Sequence, residues 1–74
     1  MLLKKCHLEL FKAWLDKEGV AYRPGKGEYQ VLQVFTPTDG FQVLFIKKGY
    51  EEYYTHNEKL QPTITRFYNE QETA

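Results

Sequence analysis

The stretch EYQVLQVFTPTDGFQVLFIKK, Glu28 to Lys48, carries the clearest structural signal in the chain, since two runs of strand-forming residues flank a turn. Both runs are rich in β-branched and aromatic side chains. Between them, Pro-Thr-Asp-Gly at residues 37 to 40 is a turn-forming set. The stretch therefore predicts an antiparallel hairpin of Glu28–Thr36 and Phe41–Lys48.

The register of this hairpin sorts its side chains into two faces. A four-residue loop would pair Thr36 with Phe41, and we take this register as the expectation. One face is then almost wholly apolar and consists of Leu32, Val34, Phe41, Val43 and Phe45. The other face is mixed and consists of Tyr29, Val31, Gln33, Phe35, Gln42, Leu44 and Ile46. We expect the first face to meet the helices and the second to stay partly apolar toward solvent.

Two helices are predicted on either side of the strands. Apolar residues recur at helical spacing from about Lys4 to Lys17, and Gly19 stands where a left-handed residue would end the helix. Val20 would then fold back onto Leu15. The apolar face of this helix consists of Leu3, His7, Leu10, Phe11, Trp14 and Leu15. A second helix is predicted near Pro62–Asn69, with the apolar residues Leu60, Ile64, Phe67 and Tyr68.

Two further strands complete the predicted sheet. Val20–Tyr22 reads as a short edge strand before the loop Arg23–Gly27, and Tyr50–Thr55 reads as a third main strand. Adjacent strand residues point to opposite faces, so Tyr53 and Tyr54 cannot both lie in the core. The order α-β-β-β-α predicts one α+β domain over residues 1–74, with a three- or four-stranded antiparallel sheet and a polar tail at 69–74 that frays.

Composition and charge favour a small folded protein of the cytoplasm. The chain has 74 residues, of which 16% are aromatic. Ten basic and ten acidic side chains cancel, so no bulk field attracts nucleic acid or anionic lipid. Cys6 is the single cysteine, which excludes an internal disulfide and suits a reducing compartment. Neither a signal peptide nor a membrane-spanning run is evident, so a cytoplasmic location without membrane contact is expected.

The segment EEYYTHNEKL, Glu51 to Leu60, is the closest approach to an active site. A strand that turns into a helix explains it better, because alternation spreads its polar groups over two faces. A Cys6–His56 nucleophile pair is the alternative, but Cys6 is expected to be a small buried thiol and His7 a partly buried, hydrogen-bonded packing residue. The chain has no serine, too few zinc ligands, and no phosphate-loop context around Gly25–Gly27. We therefore expect no enzymatic activity, no catalytic residue, no metal and no cofactor.

Two resemblances accompany this interpretation. The order α-β-β-β-α resembles a double-stranded RNA-binding domain, a family in which a lysine-rich run at the start of the last helix grips phosphates. Here that place, Asn57–Pro62, holds one lysine and one acid. The hairpin and the aromatic strand, mainly residues 28 to 56, are similar to short open reading frames of bacteriophages and prophages. That resemblance implies an accessory protein that binds and inhibits a host component, as anti-restriction and anti-CRISPR proteins do.

The function predicted from these features is a non-enzymatic protein-interaction module. A partly apolar sheet face on so small a protein is typical of a partner site or of self-association. The predicted partner-binding residues are Tyr29, Val31, Phe35, Leu44, Ile46, Tyr53 and Tyr54, with one of the last two facing solvent. The alternative is a nucleic-acid-binding module in which tyrosines stack on bases. Its predicted phosphate contacts are Arg23, Lys26, Lys47 and Lys48.

Overall fold

The predicted hairpin lies at the centre of an α+β fold, which confirms the predicted class. A computed structural model describes residues 3–46, 49, 51–55 and 58–73. Its strands are β1 (Leu3–Lys4), β2 (Tyr22–Pro24), β3 (Gln30–Thr36), β4 (Gly40–Phe45) and β5 (Glu52–Tyr53). Its helices are α1 (Leu8–Glu18), preceded by a turn of 3-10 helix (Lys5–His7), and α2 (Gln61–Thr73).

The strands form two antiparallel sheets that meet at one point. One sheet has the order β2-β3-β4, and the other consists of β1 and β5, with Leu3 opposite Tyr53. A bridge joins them, because Phe45 and Tyr54 exchange backbone hydrogen bonds of 2.7 and 2.9 Å. The predicted strand Tyr50–Thr55 is thus present as the shorter β5. Its partner β1 is formed by Leu3 and Lys4, which were predicted to belong to the first helix.

The register of the hairpin differs by one residue from the prediction. Phe41 pairs with Phe35 and Thr36 pairs with Gly40, so the loop has three residues, 37–39. Gly40 closes this loop with a φ of 71°, in the left-handed region that favours glycine. A shift of one residue turns every β4 side chain to the opposite face, so Leu44 lies in the core. The side chains that β4 turns away from the core are Phe41, Val43 and Phe45.

Both helices pack on the same side of the sheet and form one core with it. The buried apolar residues are Leu3, Phe11, Trp14, Leu15, Leu32, Val34, Leu44, Tyr53, Leu60, Ile64 and Phe67. The predicted apolar face of α2 is thereby confirmed. That of α1 is wrong at Leu10, which is 55% exposed. At 100° per residue, Leu10 lies about 140° from Leu15 and so outside the buried stripe.

Helix α2 continues past its predicted end at Asn69, and the first residue beyond that end, Glu70, makes polar contacts with both helices. The Arg66 Nε donates to Glu70 Oε2 at 3.1 Å, and the Trp14 indole N–H donates to Glu70 Oε1 at 3.2 Å. Arg66 also forms an ion pair with Glu18 at the end of α1. These contacts tie the two helices together, and α2 continues to Thr73 through residues predicted to fray.

Strand β2 begins two residues later than predicted, at Tyr22 rather than Val20. It lies at the edge of its sheet, where the missing N–H of Pro24 is tolerated. The Tyr22 hydroxyl donates to Asp16 Oδ2 at 3.0 Å, which attaches the strand to α1. This hydrogen bond to the Asp16 carboxylate raises the pKa of the Tyr22 phenol.

The predicted end of α1 is confirmed in detail. Gly19 has a φ of 71°, and its N–H donates to the Asp16 carbonyl at 3.2 Å. The Val20 N–H donates to the Leu15 carbonyl at 2.9 Å. These two bonds are those of a Schellman motif, which satisfies carbonyl groups that the helix itself leaves unpaired.

Replacing Gly19 by alanine should lower the free energy of unfolding by about 1 kcal/mol, because a Cβ disfavours the left-handed conformation. Among the described residues, no atom beyond the neighbouring residues and the helix's own backbone lies within 4 Å of the added Cβ, so the cost is conformational rather than steric. Urea unfolding measures it, with Gly19→Asn as the control, since asparagine tolerates this conformation better. Equal losses in the two variants would contradict the explanation.

Candidate functional site

The side of the sheet opposite the helices carries a surface that we call the outer aromatic face. It consists of Phe35, Phe41, Val43, Phe45 and Tyr54. Phe35 is 42% exposed and Phe41 is 36% exposed, although both are large apolar side chains. Since the buried faces of α1 and α2 both pack on the other side, neither helix covers this surface. It is the main apolar surface left open in the described part of the chain.

The rings of this face are arranged in two pairs across neighbouring strands. Phe35 and Phe41 meet edge to face, with their centroids 5.5 Å apart. Phe45 and Tyr54 stack with their centroids 5.7 Å apart and an interplanar angle of 29°. Such pairs restrict one another's rotamers, so little side-chain entropy is lost when a partner covers them. The rings of each pair are therefore held against one another before any partner binds.

Arg23 crosses the sheet from the β2 edge onto this face. Its guanidinium carbon lies 4.0 Å from the centroid of the Phe41 ring, and its Nε donates to Gln33 Oε1. Gln33 in turn donates to Gln30 Oε1 at 3.2 Å, and the Lys26 backbone N–H donates to the same oxygen at 3.0 Å. Gln33 is only 6% exposed, so its hydrogen bonds to Arg23 and Gln30 are partly shielded from solvent.

The structure divides the predicted partner-binding residues into three groups. Those on the outer aromatic face are Phe35 and Tyr54, and Tyr29 is 61% exposed just before β3. Those that pack partly buried against the core are Val31 and Ile46. Those buried in the core are Leu44 and Tyr53. The predicted exposure of Leu44 is wrong, whereas the burial of Tyr53 agrees with the prediction that only one of Tyr53 and Tyr54 faces solvent. Leu44 is buried because of the changed register, and Tyr53 because it faces Leu3 in the smaller sheet.

The sequence interpretation missed three residues of the outer aromatic face, Phe41, Val43 and Phe45, which it placed in the core. The signal that could have found them is Gly40. A glycine that ends a three-residue loop is typical of hairpins with a left-handed closing residue. Counting the loop as Pro37–Asp39 turns Phe41 opposite Phe35 and gives the observed face.

Two of the four basic residues of the nucleic-acid hypothesis are among the described residues. Arg23 lies on the outer face, and Lys26 is exposed in the loop beside it. Lys47 and Lys48 lie outside the described residues. The described part of the chain therefore brings two of these cations to one edge of the sheet.

Only some of the candidate catalytic groups lie among the described residues, and the β1–β5 pairing places Glu51 beside Lys5, whose backbone N–H donates to the Glu51 carbonyl at 3.0 Å. Glu51 and Glu52 are exposed, whereas Tyr53 is buried. His56 and Asn57 are not among the residues that the structure describes. Within residues 3–46, 49, 51–55 and 58–73, no three His, Cys, Asp or Glu side chains are grouped closely enough to hold a metal ion.

Cys6 and His7 have different surroundings from one another. Cys6 is exposed, so its predicted burial is wrong. The reason is that α1 begins only at Leu8, and the preceding 3-10 turn does not continue the helical face. His7 is partly buried with its Nδ1 2.9 Å from the Tyr68 hydroxyl, as predicted for a packing residue.

Two depressions beside α2 are weaker candidates than the outer aromatic face. One, of about 100 Å³, is lined by His7, Leu10, Phe67, Tyr68 and Gln71. It is smaller than the roughly 300 Å³ at which ligand pockets usually begin. The other is an open groove of about 560 Å³ along α2. Its arginine, Arg66, is already paired with Glu18 and Glu70.

Comparison with known proteins adds no relative from which a role could be transferred. No family model, no curated protein and no solved structure matches the chain. Neither helix within the described ranges has the length and apolar character needed to cross a bilayer.

Proposed function

We propose that this protein is a non-enzymatic interaction module that binds a protein partner through the outer aromatic face. The observation that carries the proposal is the exposure of Phe35 and Phe41, at 42% and 36%, on a face that neither helix covers. Contiguous apolar surface on a small protein is typical of an interface, and aromatic residues are enriched among those that contribute most binding energy.

Charge favours a protein over a nucleic acid as the partner. Affinity for nucleic acid comes mainly from cations that displace counterions from phosphates. The chain has ten basic and ten acidic side chains. On the described part of the outer aromatic face and its rim, the basic side chains are Arg23 and Lys26, and Glu28 is exposed in the same loop as Lys26. Contact between apolar surfaces is therefore expected to dominate binding.

The resemblance of the hairpin and the aromatic strand to short bacteriophage reading frames supports a particular kind of partner. Under this proposal the chain is an accessory protein that binds a host protein in the bacterial cytoplasm. Such a protein would inhibit its host partner by binding, and binding requires affinity and shape complementarity rather than catalytic groups. A second copy of the chain is the other possible occupant of the face.

The test compares two substitutions of exposed apolar residues. Phe35→Ser should abolish capture of the partner from a bacterial lysate, because it removes one of the two exposed phenylalanine rings of the face. Leu10→Ser is the matched control, since Leu10 is 55% exposed but lies on α1. The captured protein is identified by mass spectrometry, purified, and titrated against both variants by calorimetry.

Three results would overturn the proposal. The first is equal capture by wild type and Phe35→Ser, with both folded by circular dichroism. The second is a concentration-dependent dimer that Phe35→Ser converts to a monomer in sedimentation, which would assign the face to self-association. The third is binding of DNA or RNA with a log–log salt slope steeper than about −3, which would assign it to phosphate contacts.

A further inference from the structure

Arg23 is held in one orientation by contacts on two sides. Its Nε donates to the buried Gln33 side chain, and its guanidinium plane lies over the Phe41 ring. Both contacts span strands, since Arg23 belongs to β2, Gln33 to β3 and Phe41 to β4. An arginine on an open surface usually samples many rotamers, and fixing it before binding removes much of that entropy cost.

The terminal nitrogens of Arg23 remain available for a partner. Within the residues that the structure describes, Arg23 makes the Nε hydrogen bond to Gln33 and no ion pair. The chain's other arginine, Arg66 on α2, pairs with both Glu18 and Glu70. Arg23 thus presents an oriented fork of N–H donors beside an exposed aromatic surface.

We infer that the protein partner places a carboxylate on Arg23, next to an apolar side chain that covers Phe35 and Phe41. This inference rests on the proposed function and names the chemistry of its partner. A guanidinium fork matches the two oxygens of a carboxylate and can donate two parallel hydrogen bonds. The recognised element is therefore an acidic residue beside an aromatic or aliphatic one.

A carboxylate fits this surface better than a nucleic-acid phosphate. A nucleic-acid strand presents a row of phosphates, and a strand held on this face would need cations along its length. The described outer aromatic face has a single oriented cation, at one edge, and apolar rings over the rest. One charge at the rim of an apolar patch is the arrangement expected for a protein interface, where it sets orientation and specificity.

The test uses a random peptide library displayed on yeast and sorted against the labelled wild-type protein. Enriched peptides should carry Asp or Glu close to an aromatic or aliphatic residue. Arg23→Gln should weaken a synthetic copy of the best peptide by about tenfold to a hundredfold, as expected for lost hydrogen bonds to a charged group. Replacing the acid of that peptide by its amide should weaken wild-type binding equally and leave Arg23→Gln binding unchanged.

Arg23→Lys separates a held fork from a simple positive charge. Lysine keeps the charge but has no planar pair of donors, so it should recover little of the lost affinity. Full recovery by lysine would overturn the argument from orientation. Phe35→Ser should lose the same peptides irrespective of their charge, which shows that they bind on the outer aromatic face.

The remaining outcomes distinguish this inference from the proposed function. Peptides that are apolar, lack acids and bind Arg23→Gln as tightly as wild type would overturn the inference and leave the proposed function standing. A poly-dT oligonucleotide that binds more tightly than any peptide and is lost in Arg23→Gln would overturn both. Failure to enrich any peptide that depends on Phe35 would overturn the inference, and capture from lysate would then judge the proposed function alone.

Discussion

Replacing Phe67 by alanine should lower the free energy of unfolding by about 3–5 kcal/mol. Phe67 is 1% exposed and lies where the two helices meet. Its ring centroid is 5.1 Å from that of Phe11 and 5.6 Å from that of Trp14, both in edge-to-face contact. Truncation removes these contacts and leaves a cavity between α1 and α2. Since stabilities of small domains lie near the lower end of about 5–15 kcal/mol, much of the chain should unfold at growth temperature.

The control for this change is Phe35→Ala, which removes the same ring from the outer aromatic face. Its cost should be about 1 kcal/mol, mainly from the lost edge-to-face contact with Phe41. Urea unfolding followed by tryptophan fluorescence measures both variants, because Trp14 is buried in the core. Similar losses in Phe67→Ala and Phe35→Ala would show that the two sides of the sheet are wrongly assigned.

The second large effect concerns two neighbouring residues of β4. Leu44→Asp should prevent stable folding, because Leu44 is fully buried and an unpaired carboxylate there costs several kcal/mol. Val43→Asp should leave the protein folded, because Val43 lies half-buried on the outer aromatic face. The same substitution therefore has opposite consequences one residue apart.

Circular dichroism and thermal unfolding of the two variants test the hairpin register directly. The register with a four-residue loop places Val43 in the core and Leu44 toward solvent, and it predicts the reverse result. A folded Leu44→Asp beside an unfolded Val43→Asp would support that register and remove the structural basis of the outer aromatic face. Val43→Asp should also weaken partner binding, because it puts a charge among the rings.

The elements of this fold were predictable where the signal is local. A few neighbouring residues set each of three features: the alternation in Gln30–Thr36, the helical spacing of α2 and the glycine after α1. The composition of Pro-Thr-Asp-Gly did not decide the register of the hairpin, because it is compatible with loops of three or four residues. The local signal for three residues is Gly40, in the left-handed conformation that closes such a loop, and the resulting register also buries Leu44 beside Leu32.

The candidate site depended on that choice and was therefore predicted only in part. Phe35 lies on the outer aromatic face as expected, since β3 keeps its predicted alternation from Leu32 to Thr36, beyond the register shift between Gln30 and Leu32. Phe41 was assigned to the wrong side with the rest of β4. The position of Arg23 could not be deduced from a loop composition, because it follows from the pairing of β2 with β3 and from contact with a ring two strands away.

The pairing of β1 with β5 has a consequence for how the chain matures during translation. Leu3 is synthesised before its partner Tyr53, and the whole hairpin is made between them. The β3–β4 hairpin closes a short loop and can form as soon as it emerges, whereas the β1–β5 pair must wait for a long closure. The nascent chain therefore exposes Leu3 and the apolar stripe of α1 until β5 and α2 arrive. That interval is when the chain is most open to chaperones and to aggregation.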